Sequence, residues 1–232
     1  MIGVLSVAAR TFNSFAVLLV ILQLTIATLT MVSSVKCLTV KSIVNILHKS
    51  IMDQMNINWR YAGIEYDDVA NGIGLGAVFF TQGCPHQCPE CHNPQTWSKD
   101  GGEQFTDAIL DQLLQYYYDI PYASRLTLSG GDPLASSELT YRIIFKFKTI
   151  FPYKKVWLYT GYSFEDFAFN NPTTDKERLI QRIVRLCDVI VDGEFKIDKR
   201  DVSLQFVGSS NQRIIDVQKS LKEKHIVLWN EN

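Results

Sequence analysis

Residues 77–97 read AVFFTQGCPHQCPECHNPQTW. The stretch opens as a short apolar run ending in glycine, AVFFTQG (77–83), the pattern of a buried strand. It continues as a loop with Cys84, Cys88 and Cys91, three of the chain's five cysteines, and with His86 and His92 among them. Pro85, Pro89 and Pro94 stiffen this loop, because proline fixes its own φ and donates no backbone hydrogen bond. A buried strand thus hands three clustered thiols to whatever lies at its C-terminal end.

Downstream the same strand-then-helix order repeats. The periodicity predicts a helix over QFTDAILDQLLQYYY (104–118), with Phe105, Ile109, Leu113 and Tyr116 on one face. RLTLSGG (125–131) reads as a second strand, SSELTYRIIFKFKTI (136–150) as a helix burying Leu139, Ile143, Phe147 and Ile150, and KVWLYTGY (155–162) as a third strand. Thr174 followed by Glu177 is a capping box that starts a helix with Leu179, Ile183, Leu186 and Cys187 on its apolar side. DVIVDGEF (188–195) and LQFVGSSNQR (204–213) give a fourth and fifth strand, a short helical stretch runs to about residue 223, and HIVLWN (225–230) offers a sixth strand. Alternation of this kind implies an α/β fold with parallel strands joined by right-handed crossovers. Each of the five leading strands ends in a glycine-bearing polar motif: TQGC, SGGDP, TGY, DGEF and GSSNQR. In α/β barrels those ends face the active site. Glycine is also common in βα turns for its conformational freedom, but that does not explain the cysteines. Asn71, Gly72, Ile73 and Gly74, just before the AVFFTQG strand, form a permissive segment suited to close approach of a ligand or partner.

The chain has 232 residues, enough for one sizeable core, or one domain with an appendage. A formal net charge of −1 supplies no general attraction to nucleic acid or anionic membranes. Clustered rather than dispersed cysteines suit a reducing compartment, not a disulfide framework. Residues 1–54 stand apart. Thr11 to Val35 carries no charged residue and is flanked by Arg10 and Lys36, a run long enough to cross a bilayer. The same run resembles a signal peptide, or it precedes a start at Met52 or Met55. The expected organisation is therefore an apolar N-terminal extension over 1–54 and a folded domain over 55–232.

Three thiolates spaced Cys84-x3-Cys88-x2-Cys91 suit two kinds of centre. Structural zinc closes four ligands, which would need His86 or His92 as the fourth. An iron–sulfur cluster takes thiolates as its ordinary ligands, and a [4Fe–4S] cluster with three of them leaves one iron open. Cys37 lies in the N-terminal extension, and Cys187 on a helix face reads as a small buried hydrophobe.

The three-cysteine loop after a barrel-type strand, followed by a Gly-Gly-acidic-Pro motif, resembles the radical S-adenosylmethionine (SAM) superfamily. GCPHQCPECHNPQTW, LSGGDPL, WLYTGY, VDGEF and GSSNQR are similar, in this order, to the activating components of anaerobic ribonucleoside-triphosphate reductases. The likeness covers about Trp59 to Asp216. It implies a partial (β/α)6-type barrel with parallel strands and the cluster loop after the first. It also implies a [4Fe–4S] cluster on Cys84, Cys88 and Cys91, with SAM held along Glu90, Cys91, His92, Gly130, Gly131 and Asp132. Asp132 alternatively caps the turn that follows it. Many superfamily members carry an aromatic residue before the third cysteine, where this chain has Glu90. Tyr162, Asn211 and Arg213 are expected to contact substrate or partner, Arg213 as a fork for a carboxylate. The implied reaction is reductive cleavage of SAM and formation of a glycyl radical on the large reductase subunit. A low-potential donor such as flavodoxin or ferredoxin and an anaerobic cytoplasm go with it. Pyruvate formate-lyase-type activation, a non-catalytic metal scaffold and, if residues 11–35 insert, a membrane-anchored electron carrier are the alternatives.

Overall fold

The computed structural model describes residues 58–230. The N-terminal extension, including the apolar run at 11–35, lies outside the described residues. No helix among the described residues is long and apolar enough to cross a membrane.

The sheet begins earlier than AVFFTQG. Strand β1 (Arg60–Asp68) pairs antiparallel with β2 (Gly76–Thr81), and β3 (Glu103–Gln104) pairs antiparallel with the other side of β1. Helix α1 (Asp107–Asp119) leads to β4 (Arg125–Gly130), and α2 (Ser137–Ile150) to β5 (Lys155–Tyr159). The single turn α3 (Glu165–Ala168) and α4 (Asp175–Leu186) lead to β6 (Val189–Asp192), and β7 (Arg213–Asp216) runs into α5 (Val217–Glu223). The seven strands form one sheet in the order β3-β1-β2-β4-β5-β6-β7. Pairings β2–β4, β4–β5 and β5–β6 are parallel.

Two expected strands are different in the structure. Residues 204–212 are loop, and β7, which follows, pairs antiparallel with β6. A parallel return needs a crossover element of a dozen or more residues, usually a helix. The segment after β6 holds only a 3-10 turn at Ile197–Lys199, so the chain comes back antiparallel. The stretch 225–230 contributes one isolated bridge, Ile215 to Leu228, instead of a sixth strand. The architecture is a mixed α/β sheet with four consecutive parallel strands at its centre.

Side-chain alternation divides the sheet into two faces. Val156, Leu158 and Ile190 join Phe79, Leu126 and Leu128 in the main core, against Leu110, Leu113, Ile143, Phe147 and Ile183 of the helices. Each such fully buried side chain contributes roughly 1.5–3 kcal/mol. Trp157, Val189 and Val191 point to the other face, where Ile73, Tyr159, Phe206 and Val207 pack on them. Loops, not helices, cover this second face.

Helix α1 is rotated from its expected orientation. Thr106 is its N-cap, accepting from the amide of Ile109, and Leu110, Leu113, Leu114 and Tyr117 are buried. Phe105 precedes the helix and packs edge-on against Tyr61 and Phe79. Helix α2 buries Leu139, Ile143 and Phe147 as its spacing predicts. The capping box of α4 forms, with Thr174 accepting from the Glu177 amide and the Glu177 carboxylate from the Thr174 amide. Ile183 and Val184 are buried, and Cys187 at the C-cap is fully enclosed in the core.

Candidate metal centre

The parallel strands β2, β4, β5 and β6 all deliver their C-terminal ends to one edge, so TQGC, SGGDP, TGY and DGEF converge there. The cysteine loop is closed at its base, where the Gly83 and Cys84 amides donate to Thr96 O (2.8 Å) and Trp97 O (3.1 Å). It is seated on the SGGDP turn by Asp132 N to Gly83 O, 2.9 Å. A side chain at Gly131 would have its Cβ 2.5 Å from Gly83 O, so this seat requires glycine. Gln82 ties the far limb by donating to Gln95 O and Ser98 O.

Within the loop, Gln87 and Glu90 adopt positive φ of 50° and 55°, each immediately before a cysteine. The turn at Glu90 is closed by the Cys91 amide donating to Cys88 O at 3.1 Å. The Asn93 amide donates to Cys91 Sγ at 3.4 Å, and the dipoles of nearby amides, His86 and Gln87 beside Cys84 and Phe195 beside Cys88, favour the thiolate forms. All three thiols are free, and burial pushes those of Cys84 and Cys88 up. Bound iron reverses that preference, since a coordinated thiol is deprotonated.

The donor set fits an iron–sulfur cluster: three free thiols on one loop, with main-chain amides beside them of the kind that tune such clusters. His86 is engaged elsewhere, its Nε2 3.0 Å from Asp132 Oδ2 and its Nδ1 2.8 Å from Glu194 Oε1. That leaves neither of its nitrogens for zinc. Among the described residues no three His, Cys, Asp or Glu side chains gather closely enough for a single ion.

Beside Cys91 a cavity of about 450 Å³ opens onto the loop-covered face. Glu90, Cys91 and His92 line it, with Asn71, Ser129 and Tyr159 from the sheet side and residues 200–208 opposite. The Tyr159 hydroxyl is buried without a hydrogen-bond partner, and burial raises its pKa. The stretch 204–207, whose apolar residues suggest a strand, instead supplies Leu204, Phe206 and Val207 to this lining, with Phe206 at φ 60°. Arg200 reaches across to Glu90 at 3.9 Å.

The Asn71–Gly74 segment is held by a residue that sequence reasoning passed over. Arg125, fully buried, donates to Asp68 O and Oδ1 (2.8 and 2.7 Å), Asn71 O (3.0 Å), Gly74 O (3.1 Å) and the Thr127 hydroxyl. An arginine heading an otherwise apolar strand was its signal. Burial would raise the Asp68 carboxyl, but hydrogen bonds from Arg125, Asn71 and Ala70 outweigh it and hold the group below its usual range.

Tyr162, Asn211 and Arg213 meet on the other side of the cysteine loop, in an open groove with His86 and Glu194. Arg213 forms a two-pronged contact with Glu165 (2.9 and 2.7 Å) and also bonds Asp192, which together raise its pKa. Asn211 donates to Glu194 O. Asp132 is almost wholly buried, and its carboxylate accepts from Leu134 N, Thr160 Oγ1 and Gly161 N as well as meeting His86.

Residues 70–215 match the family model described as the 4Fe-4S single cluster domain, which agrees with the donor set and defines the class. The chain is 34% identical over 148 residues to the anaerobic ribonucleoside-triphosphate reductase-activating protein of Escherichia coli (strain K12), covering 62% of this chain and 90% of that protein. Likeness to the proteins of the same name from Vibrio cholerae serotype O1 and from Enterobacteria phage T4 is 35% in each case. It covers 63% of this chain for both, with 91% of the first relative and 87% of the second. The chain belongs to the family of anaerobic ribonucleoside-triphosphate reductase-activating proteins.

Proposed function

We propose that this chain is a radical SAM enzyme that installs a glycyl radical on an anaerobic ribonucleotide reductase. The observation that carries the reading is the loop itself, with three free thiols beside a cavity at the strand ends. Cys84, Cys88 and Cys91 would hold a [4Fe–4S] cluster. When bound, the cluster and SAM would supply one-electron chemistry that removes a hydrogen atom from the partner's glycine and leaves methionine and 5′-deoxyadenosine as products.

The chain's own residues hold and enclose. The main chain of Glu90, Cys91 and His92 and the carbonyls of the Gly130–Gly131 turn would meet the amino and carboxylate groups of SAM, while the Cys91 and Gly131 amides stay bonded to Cys88 O and Thr81 O. The Tyr159 hydroxyl, unpartnered in the cavity wall, is placed to bond a polar ligand there. The apolar residues Leu204, Phe206 and Val207 keep water from a reactive intermediate. The large reductase subunit is the partner, a low-potential protein such as flavodoxin or ferredoxin supplies the electron, and an anaerobic cytoplasm is the setting. The folded domain over 55–232 carries this function.

The test is anaerobic reconstitution of the full chain with iron and sulfide, reduction with dithionite, and measurement of 5′-deoxyadenosine from SAM, with and without the reductase subunit. Product is expected, and Cys88→Ala is expected to abolish it while the circular dichroism spectrum stays native. A loaded chain that releases no product with either partner condition would overturn the proposal.

A further inference from the structure

From sequence alone, SGGDP, TGY and DGEF are expected to line a ligand mouth. In the structure a residue of each motif turns toward one imidazole. Asp132 meets His86 Nε2 at 3.0 Å, and Glu194 meets Nδ1 at 2.8 Å. Tyr162 packs against the ring, with centroids 4.6 Å apart. At Gly161 an added Cβ would lie 2.5 Å from the ring's Cδ2, so this position has room for hydrogen only while His86 is in place.

The geometry assigns to His86 the role of positioning residue for the cysteine loop, the side chain through which the ends of β4, β5 and β6 fix the Cys84–Cys88 span. This rests on the reading of those cysteines as cluster ligands. With a carboxylate on each ring nitrogen, the imidazole cannot rotate without losing a charge-assisted hydrogen bond. Asp132 is itself immobile, because Leu134 N, Thr160 Oγ1 and Gly161 N occupy its oxygens and its side chain is almost wholly buried. Its carboxylate therefore serves the clamp. His86 lies between Cys84 and Cys88 in the chain, so fixing its ring fixes the main chain that joins these two ligands. Partners that orient ligands in this way tune a cluster's affinity, spectrum and potential.

The experiment compares full-length wild type with His86→Ala, His86→Gln and Glu194→Ala after anaerobic reconstitution. It reads iron content, the electron paramagnetic resonance spectrum of the reduced cluster, and the rate at which air bleaches it. His86→Ala should bind iron but give a shifted, broadened spectrum and bleach about tenfold faster, within the usual cost of losing such a partner. His86→Gln, which can restore one of the two bonds, should fall between. A His86→Ala/Glu194→Ala double variant should resemble His86→Ala, because both changes break one clamp. A wild-type spectrum and bleaching rate in His86→Ala would overturn the assignment. Should His86→Ala lose its circular dichroism signal, Glu194→Ala decides by the same readouts, unchanged values again overturning it. A wild-type chain that takes up no cluster would overturn the underlying reading as well, whereas a loaded wild type matched by its variants overturns the positioning role alone.

Discussion

Replacing Asp68 with alanine should cost this domain about 3–5 kcal/mol, the range for leaving a buried charge without its counter-ion. Arg125 has no exposed surface, and its only carboxylate contact among the described residues is Asp68 Oδ1, at 2.7 Å. Its remaining acceptors, three carbonyls and the Thr127 hydroxyl, are neutral and cannot balance a guanidinium. With a urea dependence of about 2 kcal/mol per molar, the loss moves the unfolding midpoint down by roughly 2 M. Tryptophan fluorescence suits the measurement, because Trp157 is buried on the same face as the loop that Arg125 holds. A second variant, Asp68→Ala with Arg125→Met, removes both charges and should recover part of the loss, since an apolar pair of similar volume is often neutral. A linked pH effect is expected. The Asp68 carboxyl titrates lower in the folded chain than its ordinary 3.8, so the unfolded chain binds more protons between the two values. The contribution is therefore complete above the ordinary value and disappears as pH falls through the folded one, and Asp68→Ala should lack this part of the acid limb. A midpoint shift equivalent to less than about 1 kcal/mol would refute the reasoning, because it would place the pair in the range of exposed ion pairs.

Other consequences can be measured with the same preparation. Gly131→Ala puts a Cβ 2.5 Å from Gly83 O and should lift the cysteine loop off its seat, lowering iron retained after gel filtration while the helical signal stays. Thr174→Ala removes the acceptor for the Glu177 amide and should lower stability by about 1 kcal/mol in urea unfolding, without altering iron content. Phe79→Ala, at a fully buried site between Tyr61 and Phe105, should cost about 3–5 kcal/mol and serves as the calibration for a pure packing defect.

The central parallel strands and the helices between them were legible because hydrophobic period reports burial directly. Leu139, Ile143 and Phe147 show it plainly on α2. Strand β1 was illegible for the matching reason: RYAGIEYDD buries only Tyr61 and Asp68, so no clean alternation is written into it. LQFVGSSNQR misled because its apolar residues face a cavity instead of a neighbouring strand, and composition does not distinguish the two. The cysteines declared themselves by spacing. Their supports did not, since the partners of His86 lie 46 and 108 residues away in sequence and only the sheet order brings them together.

The borders of the sheet restrict how this chain can meet another protein. At one margin β3 is two residues long, and at the other the backbone of β7 is already engaged by the C-terminal segment, through Asp216 N to Val227 O and Trp229 N to Ile214 O. Past Tyr61, however, the outer side of β1 has no partner strand among the described residues, and there the exposed charges of Glu65 and Asp67 blunt the edge against a visiting strand. One margin of the sheet is thus guarded by charge and the other by pairing already made within the chain.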